Sequence, residues 1–189
     1  MLDKTLGLVE QYYETRAEAK STLTKKEKAA RPIQEKESYR WLKMLDDSTK
    51  NIPDNIKAVT ICDREGDFYE LYAQAKEIGE DFAIRVTHDR ATKSNGKVLS
   101  QIRRTKAAGQ ITVNIPRDSR AKIPARQAKM EIAHCSVHIK KPANVNDDTL
   151  PDSLTLNIVR ITEINTDGTR EPIEWMPATS LPIKSDFGI

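Results

Sequence analysis

Apolar positions along this chain change period several times, and each change marks a predicted element. Residues 58–62 are a short continuous apolar run, the pattern of a strand covered on both faces. After it, Phe68, Leu71, Tyr72, Ala75 and Ile78 recur at helical spacing, with Asp67 placed to cap that helix and Glu70 at capping-box distance. Gly79 stops the helix and residues 81–86 read as a second strand, so 56–87 form a predicted β-α-β unit. Upstream, Trp41, Leu42 and Leu45 share a helical face and are expected core contacts.

Beyond residue 90 the period falls to two. Residues 110–115 and 126–139 alternate as strands, with Pro116 and Pro124 punctuating the connection, which predicts a hairpin. Alternation then slips: Met130 and Ile132 lie on one parity, Cys135, Val137 and Ile139 on the other, as a β-bulge near 132–134 would produce. A polar stretch at 142–153 leads to a strand at 154–161. Asn165, Thr166, Asp167 and Gly168 mark a hairpin turn before a last strand at 173–179. The pattern therefore predicts an α/β chain with an antiparallel β insertion at 91–173.

The residue that stands out chemically is Asp63, a lone carboxylate where the first apolar run ends. Carboxyl ends of strands are where α/β sheets gather ligands, and a hard divalent cation takes oxygen donors from such rigid supports. The plainer reading is an Asp that opens a strand-to-helix turn.

Charge sharpens the picture. The 189 residues carry a formal net charge of +3, but between Ile84 and Lys141 there are 14 Lys or Arg against 3 acids, leaving 17 against 25 elsewhere. Such a stripe is the footprint of phosphate contacts or, more plainly, a solvated basic face. Hydrophobic content of 38% and a mean hydropathy of −0.63, with no long apolar stretch, exclude a predicted membrane span, and no signal-peptide core is present at the start. Cys62 and Cys135 form no CxxC pair and read as reduced thiols of a cytoplasmic protein. His134 and His138, four apart in a strand, would stand about 13 Å apart, too far to share a metal. Glu65, two residues after Asp63, has the spacing of a phosphatase acid, yet no phosphate-binding loop accompanies it.

Cys-Asp-Arg-Glu-Gly-Asp at 62–67, followed by Phe82-Ala83-Ile84-Arg85, resembles the second-aspartate region of bacterial cut-and-paste DDE transposases, the insertion-sequence-four group (transposon-five transposase-like). Arg31-Pro32 and Glu35-Lys36-Glu37-Ser38 with Trp41-Leu42 resemble that group's helix start, and Leu6-Gly7-Leu8 the strand before it. Ala125-Arg126-Gln127-Ala128 is a fainter likeness, and Pro172-Ile173-Glu174-Trp175 with Thr179-Ser180 resembles the segment closing the group's β-rich insertion.

The resemblance implies an incomplete RNase H-like core with an inserted antiparallel β subdomain. The expected parts are a partial catalytic core at 1–90, the insertion at 91–173 and a return strand at 174–189. It implies that Asp63 is the second metal-holding, catalytic carboxylate of a two-ion Mg2+ or Mn2+ site, one ion activating the attacking oxygen and the other the leaving oxygen. It further implies DNA as partner, with Arg85, Arg90, Arg126, Lys129 and Trp175 as DNA contacts, Trp175 stacking on a displaced base. The group's first aspartate precedes the Leu-Gly-Leu strand, and Asp3 is not its equivalent. The third acid's Tyr-Arg-Glu-Lys signature does not follow Trp175, and Thr87 replaces a frequent basic residue. The expectation is a transposase fragment unable to cleave DNA alone. The alternative is a non-enzymatic nucleic-acid-binding module.

Overall fold

A computed structural model describes residues 7–11, 13, 24, 27–28, 31–53, 55–120, 123–166, 168 and 171–183. Among the described residues, the helices α1 (Tyr39–Lys50), α2 (Tyr69–Glu77) and α3 (Val98–Arg104) accompany seven strands, making a mixed α/β fold. The strands are β1 (Val59–Cys62), β2 (Asp81–Arg85), β3 (Gly109–Ile115), β4 (Arg126–Lys140), β5 (Ser153–Glu163), β6 (Glu174–Trp175) and β7 (Pro177–Thr179). They form one sheet in the order β1-β2-β7-β5-β4-β3, with β6 also paired to β5. Among the described residues only β1 and β2 pair in parallel, as their crossover through α2 requires; the other strand pairs are antiparallel.

One cross-strand row explains why these segments meet. Cys62 pairs with Ile84, Ile84 with Ala178, Ala178 with Ile158 and Ile158 with Cys135, so apolar side chains run across five strands on one face. The helices cover that face. Leu42 and Leu45 of α1, Leu71, Tyr72 and Ala75 of α2, and Val98 and Ile102 of α3 join Phe82 and Ile84 in a single core cluster. Tyr72 and Phe82 meet as tilted rings with centroids 5.3 Å apart, and the Gln74 amide donates to the Leu42 carbonyl, tying α2 to α1. Among the described residues no helix is long and apolar enough to cross a membrane.

The other face of β1 is bare. Val59 is 39% and Ile61 80% exposed, and β1 is the terminal strand of the sheet. The apolar run at 58–62 therefore marks a strand covered on one face, not two. Periodicity cannot separate these cases, because the sequence does not show which neighbours a strand lacks.

Three further expectations need correction. No bulge interrupts β4: its pairs with β3 and with β5 advance residue for residue, from Ile115↔Arg126 to Lys140↔Ser153. The parity slip arises because β4 changes its covered face. Ala128, Met130 and Ile132 are buried on one parity and Val137 and Ile139 on the other, with Ile132 and Ala133 both buried where the covers overlap. Asp67 does not cap α2; the cap is Phe68, without a side-chain hydrogen bond, because the Asp67 carboxylate is drawn into a buried ion pair. Gly7 and Leu8 are not in a strand: Leu8 and Val9 are 75% and 51% exposed, and among the described residues none pairs with them; Leu6 lies outside the described residues. The helix α3, inside the predicted β insertion, had no sequence expectation. Of the predicted 165–168 turn, Asp167 lies outside the described residues, while Gly168 has φ +77°, a value that favours glycine.

Candidate functional site

The sheet has two unlike ends. At one of them β1, β2, β3 and β5 finish while β4, β6 and β7 begin. Asp63 is the first residue past β1, and Arg85 is the last of β2, one step beyond the Cys62↔Ile84 pair. Alternation places both on the face opposite the core, together with Ile61 and Ala83. Each is exposed.

Local chemistry fixes Asp63. Its carboxylate accepts the Glu65 backbone N–H at 2.9 Å, closing a 3-10 turn over Arg64–Gly66. That turn folds back so tightly that a Cβ on Gly66 would stand 2.6 Å from Cys62 Cβ, which only glycine avoids. Glu65 is held in turn by Arg40 of α1 at 2.7 Å. Burial, with the Asp63 charge adding to it, pushes the Cys62 thiol up to about 11, so this cysteine is no nucleophile at neutral pH.

Trp175 reaches the same end. It pairs with Ile161 at the finish of β5, two residues before Pro177, which pairs with Arg85, and it is 37% exposed. Its neighbour Glu174 pairs with Arg103 of α3 at 3.2 Å. Lys129 is exposed three residues along β4 from Ile132, which faces Ile161; its backbone N–H donates to Asn165 Oδ1 at 2.7 Å. Arg117 and Arg120, in the β3–β4 connection, are exposed here as well, while Lys122 lies outside the described residues. Lys93 and Lys140, by contrast, are at the opposite end, where Lys93 N–H bonds the His138 carbonyl and Lys140 N–H that of Ala91.

The structure places the other two predicted DNA contacts differently. Arg90 pairs with Asp67, its side chain only 10% exposed, and lies over the Tyr72 ring at 5.5 Å from the centroid. Asp67 also accepts from Tyr72 Oη at 2.8 Å and from the backbone N–H groups of Thr87 at 2.6 Å and His88 at 2.9 Å. Burial alone would raise this carboxyl; the Arg90 charge and the hydrogen bonds outweigh it and hold it below the usual carboxylate range. Burial and the Asp67 charge push the Tyr72 hydroxyl far above its ordinary value. Arg126 similarly forms a two-pronged pair with the buried Glu163. Both guanidiniums are thus engaged by buried acids, joining the loop after β2 to α2 and β4 to β5.

Among the described residues no three of His, Cys, Asp or Glu are grouped to hold a metal ion. Asp63 offers one carboxylate. His134 and His138 lie on extended β4, and His138 shares a hydrogen bond with Thr155 Oγ1 at 2.9 Å. Sequence reasoning missed the Asp67–Arg90–Tyr72 group; its signal was an Asp ahead of an apolar helix, which a cap produces equally well. No protein-family model matches the chain, and no curated protein matches it.

Proposed function

We propose that the chain is part of a DDE transposase of the insertion-sequence-four group, acting on DNA in the bacterial cytoplasm. In this reading β1-α2-β2 belongs to an RNase H-like core, the strands β3 to β5 are the insertion that meets the transposon end, and β6 and β7 return to the core. One observation supports it above the rest: Asp63, Arg85 and Trp175 come from three separate segments, and the topology gathers them at one end of the sheet, on the face opposite the core, while Lys129 is exposed on the other face of β4 at the same end. There a carboxylate, a guanidinium and an indole share one end and one face, the group types that strand transfer on an unstacked end uses.

Asp63 would hold a divalent cation, which in such sites stabilises the oxygens of an in-line phosphoryl transfer. A single carboxylate does not hold two ions, so the proposal assigns the remaining acids to other parts of the transposase. Within this chain, Arg85 and Lys129 position the phosphate backbone and Trp175 receives a base. A second reading, a nucleic-acid-binding module without catalysis, draws on the same exposed cations.

The test has two parts. In duplex DNA binding followed by anisotropy across a salt series, Arg85→Gln and Lys129→Gln should each weaken binding and reduce the salt slope by about one. Lys93→Gln and Lys140→Gln, at the opposite end, should leave the slope nearly unchanged. Equal losses from both ends would remove the case for an end-on DNA surface. In a polypeptide that joins this segment to further acids, Asp63→Asn should abolish Mg2+-dependent end cleavage while sparing DNA affinity; unchanged cleavage would leave only the binding module.

A further inference from the structure

Glu70 is a buried acid that no role so far accounts for. It lies in the first turn of α2, is 8% exposed, and among the described residues has no hydrogen-bond or ion-pair partner for its carboxylate. It lines two adjoining cavities of about 150 and 440 Å3. Although the residue as a whole is buried, its carboxylate lines the cleft from the first turn of the helix, where the dipole favours a negative charge. The acceptor oxygens are therefore open to a ligand in the cleft.

The cleft states what that ligand offers. Ile33 and Val145 are apolar walls, Phe68 and His88 contribute flat rings, and Lys36 lines both cavities without an ion pair among the described residues. A carboxylate and an ammonium thus share one space unjoined, flanked by rings. We propose that this cleft binds a guanine nucleotide, with base N–H donors on Glu70 and a phosphate toward Lys36. Two parallel donors, N1–H and N2–H, match the two oxygens of a carboxylate; adenine and cytosine each set an acceptor beside their amino group, and thymine has a single ring donor. The volume lies in the range of nucleotide-sized sites, and ring faces suit a base. This inference does not use Asp63, and its failure leaves the transposase reading intact.

The source of the nucleotide is either a free molecule or an unstacked residue of a strand, and the experiment separates them. Titrating the whole chain calorimetrically with GMP, AMP, CMP and TMP should give GMP preference of about 10- to 100-fold. Glu70→Gln should erase that preference, and Lys36→Ala should weaken all four alike. Circular dichroism establishes that each variant is folded. Short single strands bearing one guanine, against the same strands bearing inosine, supply the second arm. A guanine-over-inosine preference assigns the site to strands, and GMP binding without it assigns the site to free nucleotides; either supports the cleft. Absence of binding by every nucleotide at millimolar concentration, or equal binding of all four, overturns it.

Discussion

Gly66 and Asp67 are consecutive, and different forces fix each. Gly66 is fixed by space, because any Cβ would press on Cys62. Gly66→Ala should cost about 1–3 kcal/mol, the range for overpacking, measured by urea unfolding. An unchanged midpoint would mean the turn after β1 relaxes freely. Asp67 is fixed by charge: removing it strands Arg90 in a nearly closed site, so Asp67→Asn should cost about 3–5 kcal/mol. The pH dependence follows from its depressed carboxyl. Because the folded value lies below the ordinary 3.8, this group adds stability above that pH and loses it as pH falls through the folded value. Acid unfolding of Asp67→Asn should therefore show a shallower slope below about pH 4 than the parent. An identical acid limb would show that other carboxylates govern it.

At the scale of elements, stability should follow the ladder. The β4 and β5 strands pair from Met130↔Glu163 to Lys140↔Ser153 and share core rows with the helices, whereas β6 has two residues and β1 has one neighbour. Hydrogen exchange should be slowest in the middle of β4 and β5 and faster in β1 and β6. Uniform protection would instead indicate a single cooperative opening. Much of this was legible beforehand. The β1-α2-β2 unit and the strands from 110 onward follow from period and from Gly and Pro punctuation, since burial imposes those periods directly. Three things were not legible, for one reason. The continuity of β4, the open face of β1 and the engagement of Arg90 and Arg126 depend on distant partners, and a local window holds no trace of them. The last strand divides around Met176 into β6 and β7, because its first part turns to β5 and its second also meets β2. Asp63 was legible as a strand-end carboxylate; its company, Arg85 and Trp175, became a cluster only through the topology.

For the molecule as a whole, the sheet is asymmetric in its finish. One flank ends in β3; the other ends in β1, whose outer backbone groups have no strand beside them among the described residues and whose Ile61 stands in water. Ile61→Lys should leave the melting temperature nearly unchanged, since exposed substitutions shift stability by about 0.5 kcal/mol or less. It should also reduce concentration-dependent association in sedimentation velocity. Persistent association would locate the sticky surface elsewhere. A flank of this kind is an invitation to copying: any extended peptide that drifts alongside can take up the vacant hydrogen bonds, and the variant with a lysine there would be the tractable one to concentrate, label and crystallise.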